Sequence, residues 1–427
     1  MKAGDAATRK AVETVWRMES ARLIGGLVRM VRDVGMAEDV AQEALLAALE
    51  KWPETGIPDN PGAWLMAAAK NRAFDQLRRS QMIESKKEVL EVDAASGAHS
   101  APDIETAIDD VIEDDVLRLI LIACHPILSS EARAALTLRL LGGLTTDEIA
   151  RGFLVAEPTI AQRIVRAKRT LAEARVPFEV PRGEDLSARI PSVLEVIYLI
   201  FNEGYAATRG DDWIRPELCD DALRLGRMFV ALVPAEADAH GLVALMEIQA
   251  SRTRARVTVT GEPILLLEQD RSRWDQLLIR RGLAALARAE SIARPLGPYT
   301  LQAAIAACHA RARTAAETDW KRIVALYDAL ATLTLSPVVE LNRAVAIAMA
   351  FGPAEGLEIV DALADEPALA SYHLLPSVRG DLLMKLDRMA EAWGEFERAA
   401  SLAQNARERA LLLARARSCD AAARNPN

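Results

Sequence analysis

Aromatic residues make up only 4% of this 427-residue chain, although apolar residues make up 51%. The core must therefore be built from Ala, Leu, Val and Ile, a palette that favours helices. Cysteine is also scarce. Cys124, Cys219, Cys308 and Cys419 lie far apart, with no CxxC and no second His/Cys pair at zinc spacing, which excludes a disulfide scaffold or zinc module and points to a reduced, cytoplasmic setting. Long apolar runs are missing. The longest, around LILIACHPIL, falls well short of the roughly 20 residues of a membrane span, so no membrane association is expected. The N-terminus, MKAGDAATRKAVETVWRMES, is charged throughout and lacks the basic-then-apolar pattern of a secretory signal. The net charge of −9 argues against a protein that coats nucleic acid through overall charge, but not against a local basic patch.

Catalytic patterns are missing as well. His240, His309 and His373 stand without an acid-and-nucleophile arrangement or an HExxH spacing. In the pairs Cys124-His125 and Cys308-His309, neighbouring residues on a helix point about 100° apart, a poor geometry for two ligands on one metal. The charged stretch EQDRSRWD (268–275) reads as a polar helix start or an ion-pair cluster. The chain is therefore expected to have no enzymatic activity, metal or cofactor.

What is present is helical periodicity throughout, in a chain long enough for roughly two to four domains. Residues 11–80 repeat apolar side chains at helical spacing: Val15, Leu23, Leu27, Val28, then Val40, Ala44, Leu45, Ala48, Leu49 and Trp52. After the loop PETGIPDNPGAW a further helix starts, with Asn60 as cap and Pro61 in its first turn. Residues 81–112 lose clean periodicity and turn acidic, as a linker does. Residues 113–176 are helical again. Gly142-Gly143 ends one helix there, and Thr145 or Thr146, with Glu148, caps the next. RVPFEVPRGEDL then marks a boundary, and residues 187–427 read as antiparallel helices. Within them, HLLPSVRGDLLMKLDRMAEAWGEFERAASLAQN approaches a tetratricopeptide repeat through Gly380, Leu383, Ala392, Phe396 and Ala399. A weaker copy about 36 residues earlier uses Ala344, Ile347, Gly356 and Val360. Between 187 and 319 no regular period is found, and a helical, solenoid-like arrangement is expected. The fold class is all-α.

TDEIARGFLVAEPTIAQRIVRAKR, Thr146–Arg169, has the outline of a helix-turn-helix. Ile160, Ile164, Ala167 and Leu171 form one stripe of the second helix. Thr159, Gln162, Arg163, Arg166 and Arg169 fall away from it, with Lys168 at the edge. An apolar stripe opposite a Gln/Arg face suits a recognition helix in the major groove. From Arg151 to Arg175 the local charge is about +4, inside an acidic protein. Leu154 stands where the turn usually takes glycine, so the turn needs negative φ or a strained leucine.

A second segment points the same way. AEDVAQEALLAALEKWPE…NPGAWLMAAAKNRAFDQLRR resembles region 2 of the bacterial extracytoplasmic-function sigma factors, of the sigma-70 family, and Thr146–Leu171 resembles their region 4. The resemblance covers roughly residues 15–175. It implies that a DxxQE helix, here Asp39, Gln42 and Glu43, docks on core RNA polymerase. It also implies that the WLxxxAxNxxxDxxRR helix and its preceding loop open the −10 element of promoter DNA and hold a flipped base. A basic, aromatic track for single-stranded DNA would use Trp64, Lys70, Asn71, Arg72, Arg78 and Arg79; Trp64 is either a base contact or a core tryptophan. The −35 element would be read by Thr159, Gln162, Arg163, Arg166, Lys168 and Arg169. The acidic run Asp103–Asp115 either mimics RNA's charge in the polymerase channel or is a plain solvated linker.

LIFNEGY, EQDRSRWD, GPYTLQAAIAACHA and LNRAVA resemble the extension of a subgroup with tetratricopeptide-like C-terminal domains. That resemblance implies regulation through the fused domain, with no dedicated membrane anti-sigma partner; the C-terminal domain either gates activity by packing on the DNA-binding units or receives a signal protein or ligand. Two other functions fit parts of the chain. A one-component regulator with a helical ligand-binding domain explains the helix-turn-helix and the C-terminal half, but not Asp39, Gln42, Glu43 and the basic Trp64–Arg79 helix. A tetratricopeptide-type scaffold explains only residues 187–427.

Overall fold

The computed structural model describes residues 3–88, 108–153, 155–181, 183–207 and 212–424. Among these the regular elements are helices, and the all-α expectation holds. The chain divides into two compact units, Met1–Val196 and Ile197–Asn427.

The first unit begins with α1 (Ala3–Val31), α2 (Val34–Thr55) and α3 (Pro61–Glu88). Their starts follow from side-chain caps: Asp33 Oδ1 accepts from the Met36 amide at 2.7 Å, and Asn60 Oδ1 from the Ala63 amide at 3.0 Å, with Pro61 opening α3. Leu23, Ile24, Leu27, Val40, Ala44, Ala48, Trp52, Leu65, Ala69 and Ala73 form the buried seam between them. Next come α4 (Ile108–Ala123), α5 (Ser130–Leu140), α6 (Thr146–Phe153) and α7 (Glu157–Glu173). Helix therefore extends into both ends of the 81–112 segment, and residues 89–107 lie outside the described residues. Asp115, which ends the acidic run, is buried and paired with Arg29 (3.2 Å) and Arg118 (2.6 Å).

These two helical modules pack directly on each other. A Cβ at Gly25 of α1 would stand 2.9 Å from the Asp115 carbonyl oxygen, a close approach that only glycine permits. The turn after α5 is set by Gly143 at φ +69°, where a Cβ would meet Ser20 Oγ at 2.9 Å. The first unit takes in the opening turns of α8 (Glu184–Tyr205). The reason is the buried Arg133: it donates to Ser192 Oγ and pairs with Glu195 at 3.1 Å, while Ser192 donates to the Cys124 carbonyl at 2.6 Å. The first turns of α8 are thereby tied to the helix-turn-helix module.

The second unit continues with α9 (Pro216–Leu232), α10 (Ala237–Ala250), α11 (Gln276–Ile292), α12 (Pro298–Arg311) and α13 (Trp320–Leu333). It ends with α14 (Pro337–Phe351), α15 (Pro353–Ala362), α16 (Leu374–Lys385), α17 (Met389–Leu402) and α18 (Ala406–Arg424). The repeat expectation holds at α14–α15 and α16–α17. Gly380 lies against the Phe396 ring, 3.0 Å from a would-be Cβ, and a Cβ at Gly356 would come closer still, 2.5 Å from the Ala348 Cβ and 2.8 Å from the Ala344 carbonyl oxygen. Small residues at these positions let the paired helices touch. Between α10 and α11 the solenoid-like expectation fails. That stretch has only short 3₁₀ turns and a bridge between Val257 and Pro263, pinned by Ile264 N–H donating to the Arg256 carbonyl at 2.7 Å. No described helix is long and apolar enough to cross a membrane.

Candidate nucleic-acid interface

The turn before α6 forms a reciprocal cap. Thr145 N–H donates to Glu148 Oε2 at 2.8 Å, and Glu148 N–H to Thr145 Oγ1 at 3.2 Å. Hydrogen bonding and the Arg17 guanidinium, 2.8 Å away, outweigh burial and lower the Glu148 pKa. Ile149 and Ala150 bury one face of α6. Leu154, and with it the question of turn geometry, lies outside the described residues.

On α7 the expected stripe is buried: Ile160, Ile164, Ala167 and Leu171. Thr159, Gln162, Arg166 and Arg169 are exposed, and Arg163 is half-buried. Arg169 pairs with Glu173 at 2.6 Å, an exposed contact that solvent screens and that holds the side chain only weakly. Lys168 differs from the rest of this face. Half-buried, it forms an ion pair with Glu38 of α2.

Glu38 was not anticipated from sequence, and it joins the two modules. Its carboxylate is 3% exposed and accepts from Arg139 Nε of α5 at 2.6 Å, as well as from Gln42. Arg139 also donates to the Leu144 carbonyl at 3.1 Å. The signal that could have found Glu38 is its position beside the Ala37, Ala41, Ala44 stripe of α2, where a carboxylate needs a partner. Of the polymerase-contact residues implied by resemblance, Gln42 is thus bonded inward and Glu43 lies 3.6 Å from Arg72. Asp39 is exposed; packing around its carboxyl raises its pKa, Lys168 opposes the rise, and Glu38, Asp33 and Glu43 add to it.

On α3, Leu65, Ala69 and Ala73 face inward. Trp64 is half-buried and meets buried Trp52 edge-on, with centroids 5.4 Å apart. Lys70 and Arg72 are half-buried, and Asn71 and Arg78 are exposed; Arg79 lies on α3, with its side chain outside the described set. A residue missed from sequence is Phe74, 47% exposed between Asn71 and Arg78. Its place off the Leu65, Ala69, Ala73 stripe was the available signal.

Elsewhere, two histidines have near neighbours: His240 Nε2 lies 3.0 Å from the Pro234 carbonyl and His373 Nε2 lies 2.9 Å from Glu408. Burial pushes the thiols of Cys124 and Cys219 up to about 12, the opposite of a reactive cysteine.

Family models match both modules: sigma-70 region 2 over residues 16–82 and sigma-70 region 4 over 118–171. A third model, a family of unknown function, matches 189–290. An uncharacterized protein of Rhizobium meliloti is 42% identical over 394 residues, 91% of each chain. A probable ECF RNA polymerase sigma factor SigI of Mycobacterium tuberculosis is 30% identical over 171 residues, 40% of this chain and 57% of that one. The ECF RNA polymerase sigma factor SigK of Mycobacterium ulcerans is 31% identical over 157 residues, 35% of this chain and 78% of that one. No solved structure matches. The matched modules are the two built above, and they define a DNA-binding transcription initiation factor of sigma-70 type. The chain belongs to the extracytoplasmic-function group of that family, and it carries a long helical C-terminal extension.

Proposed function

We propose that the chain binds core RNA polymerase through Asp39, Gln42 and Glu43 and directs it to promoters. In this reading α3 melts the −10 element and holds it through Trp64, Lys70, Asn71, Arg72, Arg78 and Arg79, and α7 reads the −35 element through Thr159, Gln162, Arg163, Arg166, Lys168 and Arg169. The chain acts in the cytoplasm, performs no catalysis of its own, and is controlled by its C-terminal helical domain, either by packing on the DNA-binding units or through a signal protein or ligand. The observation that carries the reading is α7: a buried stripe on one side and exposed Thr159, Gln162 and Arg166 on the other, in a chain that also has the polymerase-docking module.

The reading requires movement. Elements about 25 base pairs apart lie roughly 85 Å apart along B-DNA. A compact unit the size of Met1–Val196 is only about 40 Å across. With Glu38 binding Lys168 and Arg139, the two modules are in a closed state that must open before both elements are reached. The test is a purified system of this chain, core polymerase and promoter DNA. A sigma factor binds core polymerase directly and opens the promoter; a one-component regulator or scaffold does neither, and that outcome would discard the proposal. Removing residues 206–427, which keeps α8 and its bonds to Arg133, tests the control role, which is lost if promoter-directed transcription and its regulation are unchanged.

A further inference from the structure

The stretch EQDRSRWD takes no part in promoter reading, yet it completes an unusual cluster in the second unit. Arg252, just after α10, is 9% exposed and lies 5.7 Å from the Tyr205 ring centre and 5.9 Å from that of Trp274. Arg256 is 8% exposed, lies 3.5 Å from the Tyr205 centre and 5.8 Å from that of Trp213, and donates to the Tyr205 carbonyl. Arg271 stands 4.9 Å from the Trp274 centre and donates to the carbonyls of His309 (2.7 Å) and Ala312 (2.8 Å) and to Thr318 Oγ1 (3.1 Å). Shared rings link the three guanidiniums into one array.

What the array has too little of is negative charge. Other partly or wholly buried arginines of the same unit have carboxylates: Arg215 pairs with Glu203, Arg227 with Glu247 at 2.8 Å, and Arg415 with Asp381. Among the described residues no carboxylate forms an ion pair with Arg252, Arg256 or Arg271, and only Glu317 acts on Arg271 from a distance. Four buried polar atoms here also have no hydrogen-bond partner: Arg252 Nε, Trp274 Nε1, His309 Nδ1 and Gln269 Oε1. Burying cations without counter-charge is costly, and ring contacts offset only part of that cost. Two of the four atoms, Arg252 Nε and Trp274 Nε1, are donors that a negatively charged acceptor would satisfy. A surface cleft meets the array at Trp274; exposed Arg254 and Arg273 line it along with Thr258 and Ser272, and its one carboxylate, Asp275, caps α11 by accepting from the Leu277 and Leu278 amides.

We propose that this array is an oxyanion-binding site, taking the phosphate or carboxylate group of a small metabolite on the cleft side of Arg252 and Trp274. Arginine's planar fork suits either group. Any effect of the ligand on transcription rests on the control reading given above; binding itself does not, and it is measured without polymerase or DNA.

The experiment uses the full chain at fixed pH and ionic strength, with chloride as reference and with inorganic phosphate or citrate as probe. Melting temperature and tryptophan fluorescence are followed in the wild type, Arg252→Met and Trp274→Phe. A saturable rise in melting temperature with either probe, weakened at least tenfold in apparent affinity by both substitutions, supports the site. Response to phosphate alone identifies a phosphoryl ligand, and response to citrate alone a carboxylate. In chloride, Arg252→Met should melt no lower than the wild type, because it removes an uncompensated cation. If neither probe gives a saturable shift, or if Trp274→Phe binds as the wild type does, the proposal fails. A merely structural role for Arg252 would instead lower the melting temperature equally in chloride and in phosphate, which also overturns it.

Discussion

Glu38→Gln tests the joint between the two DNA-binding modules. The Glu38 carboxylate is 3% exposed, and its partners Arg139 and Lys168 are each 18% exposed. Removing one partner of a buried ion pair costs about 3–5 kcal/mol. The amide keeps one acceptor and the two cations keep some access to water, so about 2 kcal/mol is the expected loss. That loss falls on the contact between modules, because Glu38 lies on α2, Arg139 on α5 and Lys168 on α7. A change of about 2 kcal/mol is a factor of about 30 in the balance between closed and open forms. All four native cysteines are buried, so spin labels on cysteines introduced at exposed Met18 and Glu173 report the separation of the modules. The expected result is a new population at longer distance, together with tighter binding to core polymerase and more promoter-directed RNA. An unchanged distance distribution with weaker polymerase binding would refute the reasoning and make Glu38 a direct polymerase contact.

Three other outcomes follow from the same geometry. Gln162→Ala and Arg166→Ala, both on the exposed face of α7, should each cost about 1–3 kcal/mol at the promoter but little on unrelated DNA, with folding stability unchanged to about 0.5 kcal/mol; gel shifts with the polymerase-bound factor on intact and −35-altered promoters check this. Phe74→Ala should cost about 1–3 kcal/mol in promoter opening if the exposed ring stacks on an unpaired base, and equal permanganate reactivity of the −10 thymines in wild type and variant would remove that role. His309 gives a pH dependence: burial first, then Arg252 and Arg271, lower its pKa from 6.5 to about 4. The unfolded chain therefore binds more protons than the folded one between those values, so stability present above pH 6.5 is lost as pH falls toward 4, by at most about 3 kcal/mol. His309→Gln should flatten that loss in urea titrations at pH 7 and 4.5, and parallel pH slopes for the two proteins would contradict it.

Local periodicity carried most of the fold, because a helix shows its buried face every three or four residues without reference to the rest of the chain. The stripe Ile160, Ile164, Ala167, Leu171 and the caps at Asn60 and Thr145 all depend on neighbours within a turn or two, and each appears as read. The Gly380–Phe396 and Gly356–Ala348 contacts were legible for a related reason: the repeat displays the same helix pair twice. The irregular stretch between α10 and α11 offers neither signal. It is organised by arginine–aromatic contacts and by Arg271 reaching the end of α12, interactions with no period.

The candidate interface divides along the same line. Which face of α7 points outward was readable, since it is the complement of the apolar stripe. Whether a cation on the edge of that face is free for DNA was not, because Lys168 is engaged by Glu38 far away in the chain and Arg139 shares the same carboxylate. The same holds for Arg72 and Glu43, placed by resemblance in different roles and found 3.6 Å apart. A charge pattern specifies what a surface can bind once it is exposed, but long-range pairing decides when it is exposed. If Glu43 and Arg72 hold the roles proposed for them, each is partly neutralised by the other, and Lys168 of the reading helix is held by Glu38, one residue from Asp39 and bonded to Gln42. Mutating the pairs should therefore change when the promoter is read before it changes which promoter is read.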